Sequence, residues 1–269
     1  MRKRVFSCAL LFILSVAMLS PVQAEAEGVR YVALGDSLAA GQTPNREIGV
    51  SYTDLIAMAL QQNGQLESFS KSLAFPGYTT EQVLEQLNTR EARSLIQRAD
   101  LITISAGAND LLPLIQNDTV RGMLSYEAIP VAFRLNTVRK NYIKLFKEIK
   151  EINPRADVYA MGYYFPYPHV KSMQKPAVAG QLDILNQIIE QEAGRAGAEF
   201  VPVAHYFGVN ADSLIPNAAD VHPAPAGYLS MANLFLQEYA PGAPLLPDSI
   251  LEQLPEPISI AELRQARER

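Results

Sequence analysis

The stretch Tyr31-Val32-Ala33-Leu34-Gly35-Asp36-Ser37-Leu38-Ala39-Ala40-Gly41 leaves the chain few choices. A short apolar run breaks abruptly into Gly-Asp-Ser, which reads as a buried strand whose C-terminal edge delivers a hydroxyl. Gly35 permits a sharp turn, and Asp36 is read as bracing that turn through local amides. A helix beginning just after Ser37 points its positive end at the serine. A strand followed by an ordinary Asx or Ser turn is the plainer meaning of the same residues.

Two later segments bear on the choice. Residues 101–106 form a second apolar, β-branched run that ends in Gly107-Ala108-Asn109-Asp110, again presenting a polar side chain at a strand edge. Far downstream, Asp220-Val221-His222-Pro223 places a histidine in a Pro-flanked turn ahead of a helical pattern. A serine, an asparagine and a histidine so placed are the parts of an acyl-transfer site: nucleophile, oxyanion donor and general base. Between them, Phe75-Pro76-Gly77-Tyr78-Thr79-Thr80 runs into a helix. The Gly77 amide there is either an oxyanion donor or part of an ordinary Pro-Gly turn.

These segments together resemble the GDSL, or SGNH, hydrolases. Gly35-Asp36-Ser37-Leu38 looks like the first block of that family, Gly77 the second, Gly107-Ala108-Asn109-Asp110 the third and Asp220-Val221-His222-Pro223 the last, over about residues 29–240. The resemblance implies a secreted bacterial serine esterase with a flavodoxin-like α/β/α fold that works without a cofactor. It also implies Ser37 as nucleophile, His222 as base, and an oxyanion hole made by the Ser37 and Gly77 amides with the Asn109 side chain. The family places its acid three residues before the histidine, where this chain has Ala219. Asp220 stands only two residues before His222, so either Asp220 or a main-chain carbonyl orients the imidazole. No Gly-x-Ser-x-Gly surrounds Ser37, which argues against the strained elbow of α/β-hydrolases.

At 269 residues and 48% apolar content, the chain suffices for one sizeable core. Three regions are expected: a leader at 1–24, a catalytic domain at 25–240 and a Pro-rich tail with a short helix at 241–269. Arg2-Lys3-Arg4, the apolar run 5–19 and Val22-Gln23-Ala24 have the form of a signal peptide cleaved near Ala24, with a retained anchor as the alternative. Export of the mature protein, with no stable membrane span, follows from the first reading. The lone cysteine, Cys8, lies in the leader, so disulfides and a cysteine nucleophile are excluded after processing. Loss of the three basic leader residues takes the formal charge from -5 to -8, which offers nothing to nucleic acid or to an anionic membrane surface. His169, His205 and His222 lack partners at ligand spacing, so no metal site is expected.

Strands alternate with helices along the chain: helix at 51–62, strand at 67–74, a helix after Thr80, strand at 101–106, a long helix ending at Asn153-Pro154, and strand at 158–161. A helix around Leu182–Ile189, strand at 200–203 and helix at 226–239 complete the series. This order predicts a mainly parallel sheet of about five strands covered on both faces, with ligands at the carboxyl ends of the strands. The aromatic loop with Tyr163, Tyr164, Phe165 and Tyr167 is read as the rim of a substrate groove, with a packed structural loop as the alternative. The substrate is expected to be a carboxylic ester of short to medium acyl chain, cleaved by an esterase or lipase. An O-acetylated cell-wall or plant polysaccharide is the alternative, and a catalytically weak exported binding protein is a third reading.

Overall fold

The computed structural model describes residues 28–267. The leader and its cleavage position lie outside the described residues. Five parallel strands form the central sheet: β1 (Val29–Gly35), β2 (Leu66–Ala74), β3 (Leu101–Ser105), β4 (Asp157–Met161) and β5 (Glu199–Val201). Their order across the sheet is β2-β1-β3-β4-β5. This is the flavodoxin-like winding, whose direction reverses beside β1. On one face pack α3 (Thr80–Gln86), α4 (Arg90–Arg98), α6 (Ala128–Ile152) and α7 (Lys175–Ala196); α2 (Tyr52–Gln62) and α9 (Pro225–Tyr239) lie together on the other.

Both central strands are buried on their two faces, as the apolar runs Tyr31–Leu34 and Leu101–Ile104 require. The helices follow the same logic. Val138, Tyr142, Leu145 and Ile149 turn one stripe of α6 into the core, while Lys140, Lys144 and Lys147 stay exposed. Ser51 and Asp54 close a capping box at the start of α2, and Thr79 with Gln82 does so for α3.

Register then fixes the site. Gly35 pairs with Ala74 on one side and with Ser105 on the other. The three chain segments that follow these residues therefore leave the same sheet edge side by side. Gly35 has φ +141°, and a Cβ built there would lie 2.2 Å from the Ser105 carbonyl oxygen. That close approach lets the Asp36 N–H donate to the same carbonyl at 2.9 Å.

Several expected boundaries shift. The strand expected over 200–203 ends at Val201; Pro202 removes a ladder donor, and Val203 opens the short α8 (Val203–Phe207). Helix α4 has no counterpart in the expected series. The aperiodic stretch after Asn109 becomes a one-turn α5 (Ala108–Leu111), a 3₁₀ turn at Leu112–Leu114 and a hairpin pairing Gln116–Asp118 with Met123–Ser125. The tail packs across the domain: Leu246 and Ile250 are buried, and Asn233 exchanges two hydrogen bonds with the Leu246 main chain. Ile258–Ser259 then pairs with Glu47–Ile48, ahead of α10 (Ile260–Arg267).

Replacing Gly35 by alanine is expected to destabilise the protein by about 3 kcal/mol or more, from positive-φ strain and overlap with the Ser105 carbonyl. Gly77→Ala, at φ +84° with open space around its Cα, is expected to cost about 1 to 2 kcal/mol from positive-φ strain alone. Urea unfolding followed by circular dichroism checks both values.

Candidate active site

Four segments converge at the carboxyl edge of β1, β2 and β3. Ser37 is the first residue of α1 (Ser37–Ala40), a single turn capped by Asp36, whose Oδ1 accepts from the Leu38 N–H at 3.0 Å. The N–H of Ser37, at this position, has no intrahelical acceptor. The Ser37 hydroxyl lies 2.7 Å from Nε2 of His222, a residue 185 positions away.

Asp220 reaches the other side of the imidazole despite its two-residue spacing. Its Oδ1 takes the main-chain N–H of His222 at 2.9 Å and stands 2.5 Å from the ring Nδ1. The carboxylate thus folds back over its own turn, a local closure typical of aspartate. The carboxylate, rather than a main-chain carbonyl, is the group beside Nδ1, and this contact fixes Nδ1 as the protonated nitrogen and leaves Nε2 as acceptor for the serine. Ser37, Asp220 and His222 are all buried. The turn is held from outside: Tyr164 donates its hydroxyl to the Val221 carbonyl at 2.9 Å, and Asn117 and Asn217 tie it to the hairpin and to Pro44.

Asn109 follows Gly107, which turns the chain at φ +132° beyond β3. Its Nδ2 donates to the Tyr78 carbonyl at 2.9 Å, so the third block is bonded directly to the loop that carries Gly77. One amide hydrogen is used there; the second is available to the pocket that Asn109 lines. Gly77 itself is exposed in the turn after β2 and is not among the residues lining that pocket. Asp110 is turned away from the serine: it accepts from the Thr80 N–H and hydroxyl at 2.8 and 2.9 Å, and Asn141 donates to the same hydroxyl.

The aromatic loop departs from the expected exposed rim. Tyr163, Tyr164, Phe165 and Tyr167 are all buried. Tyr163 and Tyr164 line the inner wall of the pocket, whereas Phe165 and Tyr167 do not reach it. The reason is polar anchoring. Tyr163 donates its hydroxyl to Asp36 Oδ2 at 2.5 Å, and its main chain exchanges two hydrogen bonds with the Asn186 amide. Tyr164 stacks on Phe207 with centroids 4.5 Å apart.

The pocket beside Ser37 is an apolar slot. Leu38, Leu111, Leu112, Ile115, Val178, Leu182 and Leu185 supply its walls. Three of these residues belong to α7, whose leucines read in sequence only as a core-facing stripe. Gln42, whose Nε2 lies 3.3 Å from His222 Nδ1, was also not singled out by any motif. Its neighbour Arg46, held at φ +61° in a tight turn, approaches Asp220 Oδ2 at 3.9 Å. Among the described residues, no group of three or more histidine, cysteine, aspartate or glutamate side chains is arranged to hold a metal ion.

Such a constellation, on a flavodoxin-like sheet, defines a class of hydrolase site built on strand-edge loops. The chain belongs to the GDSL-like lipase/acylhydrolase family, whose model matches residues 33–229, and is thereby placed among the ester hydrolases. It is 25% identical over 253 residues to the Bacillus subtilis protein YpmR, a match that covers 88% of this chain and 96% of that one. Its fold is similar to that of the lipase Lip_vut3 from a goat rumen metagenome, at a TM-score of 0.61 and 22% identity, covering 77% of this chain and 95% of that one. It is also similar to Axe2, an acetylxylan esterase from Geobacillus stearothermophilus, at a TM-score of 0.57 and 18% identity, covering 82% and 98%.

Burial raises the Asp36 carboxyl from its ordinary 3.8, against the pull of hydrogen bonds from Tyr163, Leu38 and Ser105. A carboxyl raised on folding binds its proton more tightly in the native state. Its contribution to stability is therefore fullest at acid pH and is lost as pH rises from its unfolded value through its folded one. Asp36→Asn, which removes that titration, is expected to become more stable relative to the parent as pH rises through this window. Urea midpoints of both proteins at about pH 4 and about pH 7 measure the change; a difference that stays constant means that Asp36 titrates at its ordinary value.

Proposed function

We propose that the protein is a serine esterase that cleaves carboxylic esters of short to medium acyl chains through an acyl-serine intermediate. The observation that carries this reading is the 2.7 Å contact between Ser37 Oγ and His222 Nε2 at the polar end of an aliphatic slot. In this mechanism His222 takes the Ser37 proton as the oxygen attacks the ester carbonyl. Asp220 holds the ring and stabilises the imidazolium that forms. The Ser37 and Gly77 amides and the free Asn109 hydrogen receive the developing oxyanion. His222 then returns the proton to the leaving alcohol, and water repeats the sequence on the acyl-serine, releasing the acid.

The slot favours a hydrocarbon acyl group over an O-acetylated polysaccharide. Its walls are leucine, isoleucine and valine, which pack against hydrocarbon and leave sugar hydroxyls without partners. The leader sequence supports action outside the cytoplasm after cleavage near Ala24. Among the described residues, no helix is long and apolar enough to cross a membrane.

Steady-state hydrolysis of p-nitrophenyl esters from acetate to octanoate tests the reading. The expected optimum lies beyond acetate. Ser37→Ala is expected to abolish turnover and labelling by a fluorophosphonate. Asp220→Asn is expected to lower kcat by about four orders of magnitude by permitting the wrong tautomer. Asn109→Ala is expected to lower kcat by about two to three orders, with KM little changed. Near-normal turnover in Ser37→Ala would remove the mechanism.

A further inference from the structure

One wall of the slot belongs to a single helix, and that helix stands away from the nucleophile. Val178, Leu182 and Leu185 are four and three residues apart on α7, a spacing that turns all three to one side. All three are buried and line the pocket. Ser37 leaves the sheet at the end of β1, whereas the Tyr163 segment leaves it at the end of β4, with β3 between them. Helix α7 is bonded to the Tyr163 segment: the Asn186 amide exchanges two hydrogen bonds with the Tyr163 main chain, at 2.8 and 2.9 Å. Two strand spacings, on the order of 10 Å, therefore separate the strand of the nucleophile from the strand that seats this helix. That interval matches the span of an extended acyl chain of medium length.

A wall discriminates length only if it does not yield, and this one is fixed on both sides of its apolar stripe. Toward the start of α7, Lys175 is buried and donates from Nζ to the Val209 carbonyl at 3.0 Å and to Asn210 Oδ1 at 2.7 Å. Both acceptors lie just past α8, so the first turn cannot slide without leaving an ammonium unpartnered. Beyond the stripe, Asn186 holds the next turn. Leu185 is wedged there as well: a Cβ built on Gly107 would meet Leu185 Cδ1 at 3.1 Å and the Tyr163 ring at 3.8 Å. Leu182 stands between these two anchors. It is the most accessible of the three, at 9% against 3% for Val178 and 2% for Leu185, and is the one that an incoming chain end meets.

We propose that Leu182, with Val178 beside it, is the stop against which the end of the acyl chain rests, so that α7 sets the longest ester accepted. The nature of the substrate rests on the esterase reading; the position of the stop does not. A chain with its carbonyl at Ser37 passes Ala108, Leu111 and Tyr163 before reaching the helix, all of them pocket residues. A smaller side chain at 182 gives room to further methylenes, and a larger one removes it. Each methylene gained or lost in such a pocket changes kcat/KM by about tenfold or more.

The test is a chain-length profile of kcat/KM for p-nitrophenyl esters from acetate to laurate. Leu182→Ala is expected to raise the laurate-to-butyrate ratio about tenfold, and Leu182→Phe to lower the octanoate-to-acetate ratio about tenfold. Ile184→Phe, on the exposed side of the same helix, is expected to keep the parent profile. Opposite shifts in the two Leu182 variants do not arise from general loosening of the fold, which moves both the same way. Two outcomes overturn the proposal: a parent-like profile in both Leu182 variants, or an equal shift in Ile184→Phe. Calorimetric titration of the Ser37→Ala protein, alone and with either Leu182 change, with butyrate, octanoate and laurate reads the stop without chemistry. Shifted carboxylate binding in a protein that hydrolyses no ester would overturn the esterase reading and leave the stop standing. Ester hydrolysis with an unshifted profile would do the reverse.

Discussion

The contact between Gly35 and the Ser105 carbonyl sets the dimensions of the whole catalytic edge. With no Cβ at Gly35, β1 and β3 come close enough for Asp36 to bond the end of β3 through both its main chain and its carboxylate. The carboxylate then has three donors, Leu38, Ser105 and Tyr163, drawn from three different segments. A buried carboxyl group so surrounded cannot shift without leaving donors unpaired, so the one-turn helix bearing Ser37 is fixed from below. The serine is held through its neighbour Asp36 as well as by its own contact with His222.

The sheet was legible because its signals are local. Residues 31–34 and 101–104 are short, largely apolar runs, and a glycine follows each, Gly35 at once and Gly107 three residues on. Their neighbours in space follow from the alternation of strand and helix, which admits few windings. The hairpin at 116–125 was illegible for the opposite reason: its strands are three residues each and half exposed, so no periodicity marks them. Pro202 was read correctly as an edge signal but ended its strand instead of lying within it.

The site divides along the same line. Ser37, Asn109 and His222 stand next to punctuating glycine or proline, and a single sequence displays that. The reach of Asp220 depends on a turn that no spacing rule gave, because the His222 N–H and Nδ1 share one carboxylate oxygen. The aromatic loop misled because composition cannot tell an exposed ring from one whose hydroxyl has a buried partner. Asp36 and the Val221 carbonyl are those partners, at 127 and 57 residues' distance. The slot walls were invisible in the same way, since a leucine facing a cavity and one facing a core look alike in a helical stripe.

The long span between serine and histidine has a consequence for the order in which the molecule becomes complete. A chain emerging from its N-terminus presents Ser37, Gly77 and Asn109 early, while His222 and Asp220 arrive together 185 and 183 residues behind the serine. The turn that holds them needs Tyr164 from β4's exit loop, and the loop bearing Gln42 is also held from far along the chain, where Tyr228 donates to the Gln42 carbonyl and Ile258–Ser259 pairs with Glu47–Ile48. A partly made or partly threaded chain therefore carries Ser37 without the imidazole that stands beside it in the finished fold. Topology withholds that contact until residue 222 is in place.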